Sequence, residues 1–429
     1  MQKLFVFMEI TMEQLKLQNT YSIHYNKTRL KSNNPNSKAA VPTLTGISLG
    51  AAFLMANSSI GPGFLTQTSF YTEQLLTSFG FVILVSILLD FGAQINIWRA
   101  ITLSGMRAQE IANLLLPGLG YLLSLSIVIG GFAFNIGNIA GCGLALNLLT
   151  GISFAKGAIL SGVIAIIIFW VDEIGKMLDR LTKILGIVKI SLTLLIVYAA
   201  NPPILDAVQH SFVPEQISLL AIVTIVGGTV GGYITFSGAH RLVDAGMVGP
   251  KHLGFVTKSA SRGILISSFM RFILFLAVVG VVSQGVHLDK NNPAATVFET
   301  AGGRWGLFVF GIVLWSAAIS SVIGASYTSY SFIKKLDIPF LNHERFSISG
   351  FIFISTCIFV WIGKPKELLL FAGLINGFVL PFALAIMLIA SRKIPILKQY
   401  KYPLWIELAG WLVVAMMGSM SVYALMEAI

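Results

Sequence analysis

The sequence predicts an all-α integral membrane protein of about 11 transmembrane helices, built as two inverted five-helix blocks and a last helix. Three observations predict it. Only 11% of the 429 residues are charged while 55% are hydrophobic, and the mean hydropathy is +0.83. A soluble chain carries roughly a quarter charged residues. A soluble globular enzyme, a disordered chain and a nucleic-acid-binding module are therefore excluded. Next, apolar runs long enough to cross the hydrocarbon core, about 20 helical residues each, recur along the chain. Finally, two of these runs, five spans apart, carry glycine-rich interruptions.

In chain order, residues 1–42 are polar and basic and read as a cytosolic tail. Its apolar opening, Leu4-Phe5-Val6-Phe7-Met8, is too short for a span or a signal segment. The spans fall at 43–71, 76–99, 117–149, 157–171, 184–201, 216–246, 260–285, 304–332, 346–363, 367–391 and 404–427. They group into a first repeat, 43–201, a second and inverted repeat, 202–391, and an eleventh helix within 392–429. Spans 1, 3, 6 and 8 are over-long, so each must tilt, break or extend beyond the bilayer. With the tail inside, the cytosolic segments take 22 of the 29 Lys and Arg residues and the opposite side takes five. Lys189 and Arg271 lie deep within spans and are counted on neither side. This asymmetry obeys the positive-inside rule. It puts the N-terminus in the cytoplasm and the C-terminus across a plasma membrane, and it explains the net charge of +11 without nucleic acid. Cys142 and Cys357 both lie in apolar runs and set no disulfide framework.

Span 1 contains Asn57-Ser58-Ser59-Ile60-Gly61-Pro62-Gly63-Phe64, and span 6 contains Gly227-Gly228-Thr229-Val230-Gly231-Gly232-Tyr233. Proline removes a donor and glycine lets the chain leave helical geometry. The backbone groups freed by a break must meet protein, ligand or water inside a membrane. Glycine also serves helix packing. Matched breaks in the first helices of two inverted blocks, however, point to a transporter substrate site.

On these residues the sequence resembles the NRAMP family, which has the LeuT-type fold. Gly61-Pro62-Gly63-Phe64 stands at the place of that family's Asp-Pro-Gly-Asn motif. Gln94, Ser104-Gly105 and Glu110 follow in its register. The run Gly141-Cys142-Gly143-Leu144-Ala145-Leu146-Asn147-Leu148-Leu149 is similar to its span 3, and Ile225-Val226-Gly227-Gly228 to the lead-in of its span 6. Ser320-Ser321 with Gly324, and Leu380-Pro381-Phe382-Ala383-Leu384, are family-like in spans 8 and 10. The resemblance implies metal ligands at positions that here read Gly61, Phe64 and Gly231, with Gly232 and Tyr233 in place of Pro and His. A hard or borderline divalent cation needs oxygen or nitrogen donors and partial charge compensation, whereas Gly and Phe supply no side-chain donor and no carboxylate remains at the break. An acidic pair of the family's span 3 reads Asn135 and Asn138, and a glutamine of its span 10 reads Gly373, with Asn376 one turn on.

An opened helix N-terminus offers free N–H groups and a positive dipole end, which suit a carboxylate. The two breaks also resemble those of amino-acid transporters of the same fold class. The expected substrate site comprises Ser58, Ser59, Gly61, Pro62, Gly63, Phe64, Asn135, Asn138, Gly231, Gly232, Tyr233, Thr235, Phe236 and Asn376. The expected activity is secondary active import of a small organic solute, an amino acid or related carboxylate. The alternative is a divergent Mn, Fe or Mg transporter. Ser320 and Ser321 are the candidates for a coupling Na⁺. Asp90 and Arg271, the deepest charges, are the candidates for H⁺ coupling or a structural ion pair. The expected partners are the small-molecule substrate, Na⁺ or H⁺ and the lipid bilayer, with no nucleic acid. The chain is expected to be monomeric and to hold no resident metal and no cofactor. No spacing of paired carboxylates, His clusters or nucleophile and base suggests an enzyme.

Overall fold

The computed structural model describes residues 55–56, 59–171, 188–334, 343–398, 400 and 402–428. The tail, the first turns of span 1 and two residues of its break, Asn57 and Ser58, lie outside them. Every regular element among the described residues is helical. Eight helical stretches there are long and apolar enough to cross a membrane, or nine if the bent pair Val188–Ala200 and Ile204–Phe212 forms one span. One stretch, Pro62–Ser104, joins the second half of span 1 (Pro62–Leu75) to span 2 (Phe79–Ser104). Span 3 is Leu119–Thr150, span 4 the 17-residue helix Phe154–Trp170, and span 5 Val188–Ala200. Span 6 is split into Leu219–Thr229 and Tyr233–Asp244. Spans 7 to 11 are Leu253–Val282, Pro293–Ile333, Glu344–Ile362, Pro365–Lys393 and Leu404–Ala428.

Two boundaries depart from the sequence reading for local reasons. Span 8 starts at Pro293, eleven residues before the expected 304. Pro293 occupies the first helical turn, and the Asn292 side chain accepts from the Ala295 N–H at 3.3 Å. Proline and an amide cap both suit a helix start. The expected start corresponds to a kink at Gly303, whose φ is 59°. Between spans 2 and 3, the short helix Ala108–Leu115 escapes a search for apolar runs because only one of its faces is apolar. The Arg107 N–H opens it by donating to Glu110 Oε2 at 2.9 Å.

Packing separates a core from a lipid-facing rim. The apolar stretch of span 6 is 89% buried and that of span 9 only 28%. Spans 3 and 8 lie along each other, as do spans 6 and 10. A Cβ at Gly227 would overlap the Gly373 carbonyl and the Gly377 amide, so spans 6 and 10 touch backbone to backbone. With no hydrophobic force between helices in lipid, such small-residue contact is what holds them. Helix ends also cluster by side. Arg107, after span 2, pairs with Asp244 at the end of span 6 at 3.1 Å. At the other end, Glu73 of span 1 accepts from the Leu288 N–H between spans 7 and 8 at 2.9 Å.

Candidate functional site

Both breaks are real departures from helix. In span 1 the Ile60 N–H still donates to the Ala56 carbonyl at 2.9 Å, but Gly61 is extended, with φ −91° and ψ −169°, and Pro62 restarts the helix. In span 6 the N–H groups of Val230 and Gly231 both donate to the Val226 carbonyl, at 2.9 and 3.2 Å. Gly232 then turns to φ 51° and ψ −129°. That conformation disfavours a side chain. A Cβ there would in any case overlap Asn376 Oδ1 of span 10.

The breaks are flanked by the neutral polar side chains of Ser321, Asn138, Tyr233, Asn376 and Gln67. A Cβ at Gly61 would stand 3.1 Å from Ser321 Oγ and 3.6 Å from Asn138 Oδ1, so spans 8 and 3 both close on this residue. The Tyr233 hydroxyl lies beside Asn138, and its ring meets Phe134 edge to face at 5.4 Å. Asn376 Nδ2 donates to the carbonyls of Gly130 and Ala372 at 2.9 and 2.8 Å. Gln67, two turns beyond the span 1 break, donates from Nε2 to the Leu369 carbonyl at 2.9 Å. Four buried atoms around the breaks have no hydrogen-bond partner among the described residues: Gln67 Oε1, Ser321 Oγ, Asn376 Oδ1 and Ser329 Oγ of span 8, which lies against Gly131. Buried polar atoms are nearly always paired. A cluster of such atoms around two helix breaks is where a ligand or water could find partners.

Two cations reach the same region. The Arg271 guanidinium of span 7 stacks on the Phe64 ring at 4.4 Å and donates from Nη1 to Thr229 Oγ1 at 2.6 Å. Its Nε and Nη2 are buried and unpartnered. Asp90 of span 2 feels this charge but makes no ion pair with it among the described residues. The expected mutual pair is thus an interaction at a distance. Lys189 of span 5 donates from Nζ to the Ile60 carbonyl at 2.8 Å. Among the described residues, no group of three or more His, Cys, Asp or Glu is placed to hold a metal ion.

The structure brings together Gly61, Phe64, Asn138, Gly232, Tyr233, Asn376, Ser321 and Arg271. Gly63 lies against Gln67 and Phe134, Pro62 against Gly141, and Gly231 against the Asn376 backbone. Other expected members turn elsewhere. Asn135 donates to Ser355 Oγ of span 9 at 3.0 Å. The hydroxyls of Ser59 and Ser320 bond back to their own helices, at Ala56 and Ala317. Thr235 donates to the Val230 carbonyl within the break. Phe236 packs with Phe332 and His240 toward the far end of span 6. Ser58 lies outside the described residues. Sequence reasoning missed Gln67, Ser329 and the partner of Lys189. The available signal was a polar side chain on the buried stretch following a break.

Comparison with known proteins gives this geometry a context. The family model described as "Natural resistance-associated macrophage protein-like" (Nramp) matches residues 52–427. The chain is 55% identical over 377 residues to the uncharacterized membrane protein YcsG of Bacillus subtilis, covering 88% of this chain and 93% of that one. It is 24% identical over 376 residues to the divalent metal cation transporter MntH of Caldanaerobacter subterraneus subsp. tengcongensis, covering 82% and 86%. In structure it is similar to the Eremococcus coleocola manganese transporter, with a TM-score of 0.70 at 17% identity over 91% of this chain and 88% of that one. It is also similar to MhsT, solved in complex with L-phenylalanine, with a TM-score of 0.57 at 16% identity over 89% and 98%.

Proposed function

The chain belongs to the Nramp family and has the LeuT-type fold of two inverted five-helix repeats with broken first and sixth spans, and from that premise we propose that it carries its substrate between the two breaks. It is a membrane transporter by family. Loading at the breaks and rocking of one bundle against the other is the mode of action that such repeats serve.

Two substrate classes follow from different observations. The names of the relatives favour the alternative expectation, a divalent metal cation, over an organic solute. The residues of this chain favour a small carboxylate, and the geometry carries that reading. The observation is Arg271: a buried guanidinium on the Phe64 ring, at the break itself, with Nε and Nη2 unpartnered. A guanidinium edge matches a carboxylate through two parallel N–H donors. A divalent cation at the same place would meet Arg271 and Lys189 with Gly61, Phe64 and Gly231 as neighbours. Asn138, Asn376, Gln67 and Tyr233 would complete the site as neutral donors and acceptors.

The two readings separate in one experiment. Purified protein is screened by thermal unfolding against a panel of small carboxylates, amino acids included, and against Mn²⁺. The carboxylate reading expects a saturable stabilisation by a carboxylate that Arg271→Gln weakens at least ~30-fold. That corresponds to the roughly 2 kcal/mol or more lost when one partner of a buried charge pair is truncated. Saturable Mn²⁺ binding, unchanged by Arg271→Gln and with no carboxylate response, would establish the metal reading instead.

A further inference from the structure

Lys189 plays no part in the carboxylate contact proposed above, yet it is the second cation at the breaks. It sits on span 5 with 6% of its surface exposed, and its ammonium holds the Ile60 carbonyl at 2.8 Å. Extended Gly61 takes that carbonyl out of the helical ladder. Backbone carbonyls at a broken membrane helix are cation ligands by their chemistry. Gly61 itself faces Ser321 of span 8, whose hydroxyl is buried without a partner. Span 5 thus brings a positive charge to the Ile60 carbonyl of span 1, one residue before the glycine that Ser321 of span 8 faces. Among the described residues no carboxylate forms an ion pair with it.

We propose that the Lys189 ammonium is a resident cation filling the place a free Na⁺ would otherwise take at the span 1 break, so that this carrier is blind to sodium. A monovalent ion and an ammonium ask for the same ligands, carbonyl and hydroxyl oxygens. A tethered ammonium needs no binding step and cannot leave with the cargo. Ser320 and Ser321, expected to hold Na⁺, agree with this. Ser320 bonds back to Ala317, and Ser321, which faces Gly61, is left with an unused oxygen. The inference does not depend on which substrate class the site takes.

The test uses the purified full chain and radioactive sodium, with choline chloride as the control for ionic strength. The wild type is expected to show no saturable sodium binding and no sodium-specific shift of its unfolding midpoint. Lys189→Ala removes the charge and leaves the oxygens, and is expected to gain both. Lys189→Arg keeps a positive charge and is expected to stay blind to sodium. Lys189→Thr serves as the second neutral variant if Lys189→Ala does not fold. Saturable sodium binding by the wild type overturns the inference. So does a folded neutral variant, monodisperse on size exclusion, that still binds no sodium.

Discussion

Gly232 shows how far one missing side chain governs the site. Its φ of 51° and the Asn376 oxygen beside it leave no room for a Cβ. Gly232→Ala is expected to lower stability by about 2–5 kcal/mol, combining strain at a sparsely populated φ/ψ with overpacking. The measurement is the shift in unfolding midpoint. Asn376→Ala in the same chain should recover part of that loss, by removing the obstructing carboxamide, without recovering substrate binding. At this scale the sequence was legible wherever the backbone demands a residue type, as at Gly61 and Gly232. It was not legible where a side chain chooses its partner across the fold. Gln67 meets a carbonyl 302 residues away, and Asn135, read as a neighbour of the breaks, turns to Ser355, 220 residues away. Such choices depend on helix rotation, which apolar runs do not encode.

Among the elements, the half-helix Pro62–Leu75 follows the extended Gly61, whose neighbours allow a graded test of the proposed site. A single Cβ there stands 3.1 Å from Ser321 Oγ, a contact that a small shift of the serine relieves. Gly61→Ala is therefore expected to fold and to keep measurable binding. Gly61→Val adds a branched side chain against Asn138 and Ser321, and is expected to abolish binding of the ligand found in the thermal screen while the protein stays monodisperse. Equal affinity in Gly61→Val and wild type would remove the breaks from the substrate path. The existence and position of the breaks were readable because Gly and Pro punctuate so strongly. The early start of span 8 was not, because its first turns, Pro293 to Gly303, are too polar to join an apolar run.

For the whole molecule, the fold followed from composition, span count and the matched interruptions, since lipid permits few architectures. What only the tertiary structure supplies is the inventory of orphaned atoms at its centre. Each buried, unpaired polar group costs about 1–3 kcal/mol, and four of them lie around the breaks, with two cations nearby. On the proposed site, cargo held between the breaks would satisfy these groups, and the laden crossing would then be easier than the unladen return. In proteoliposomes preloaded with unlabelled substrate, uptake of labelled substrate is expected to run several-fold faster than into empty ones. Equal rates would mean that the centre rearranges before it closes. A carrier with such a site would behave as an exchanger whenever substrate is present on both sides, and would accumulate it only as fast as the empty form can find its way back.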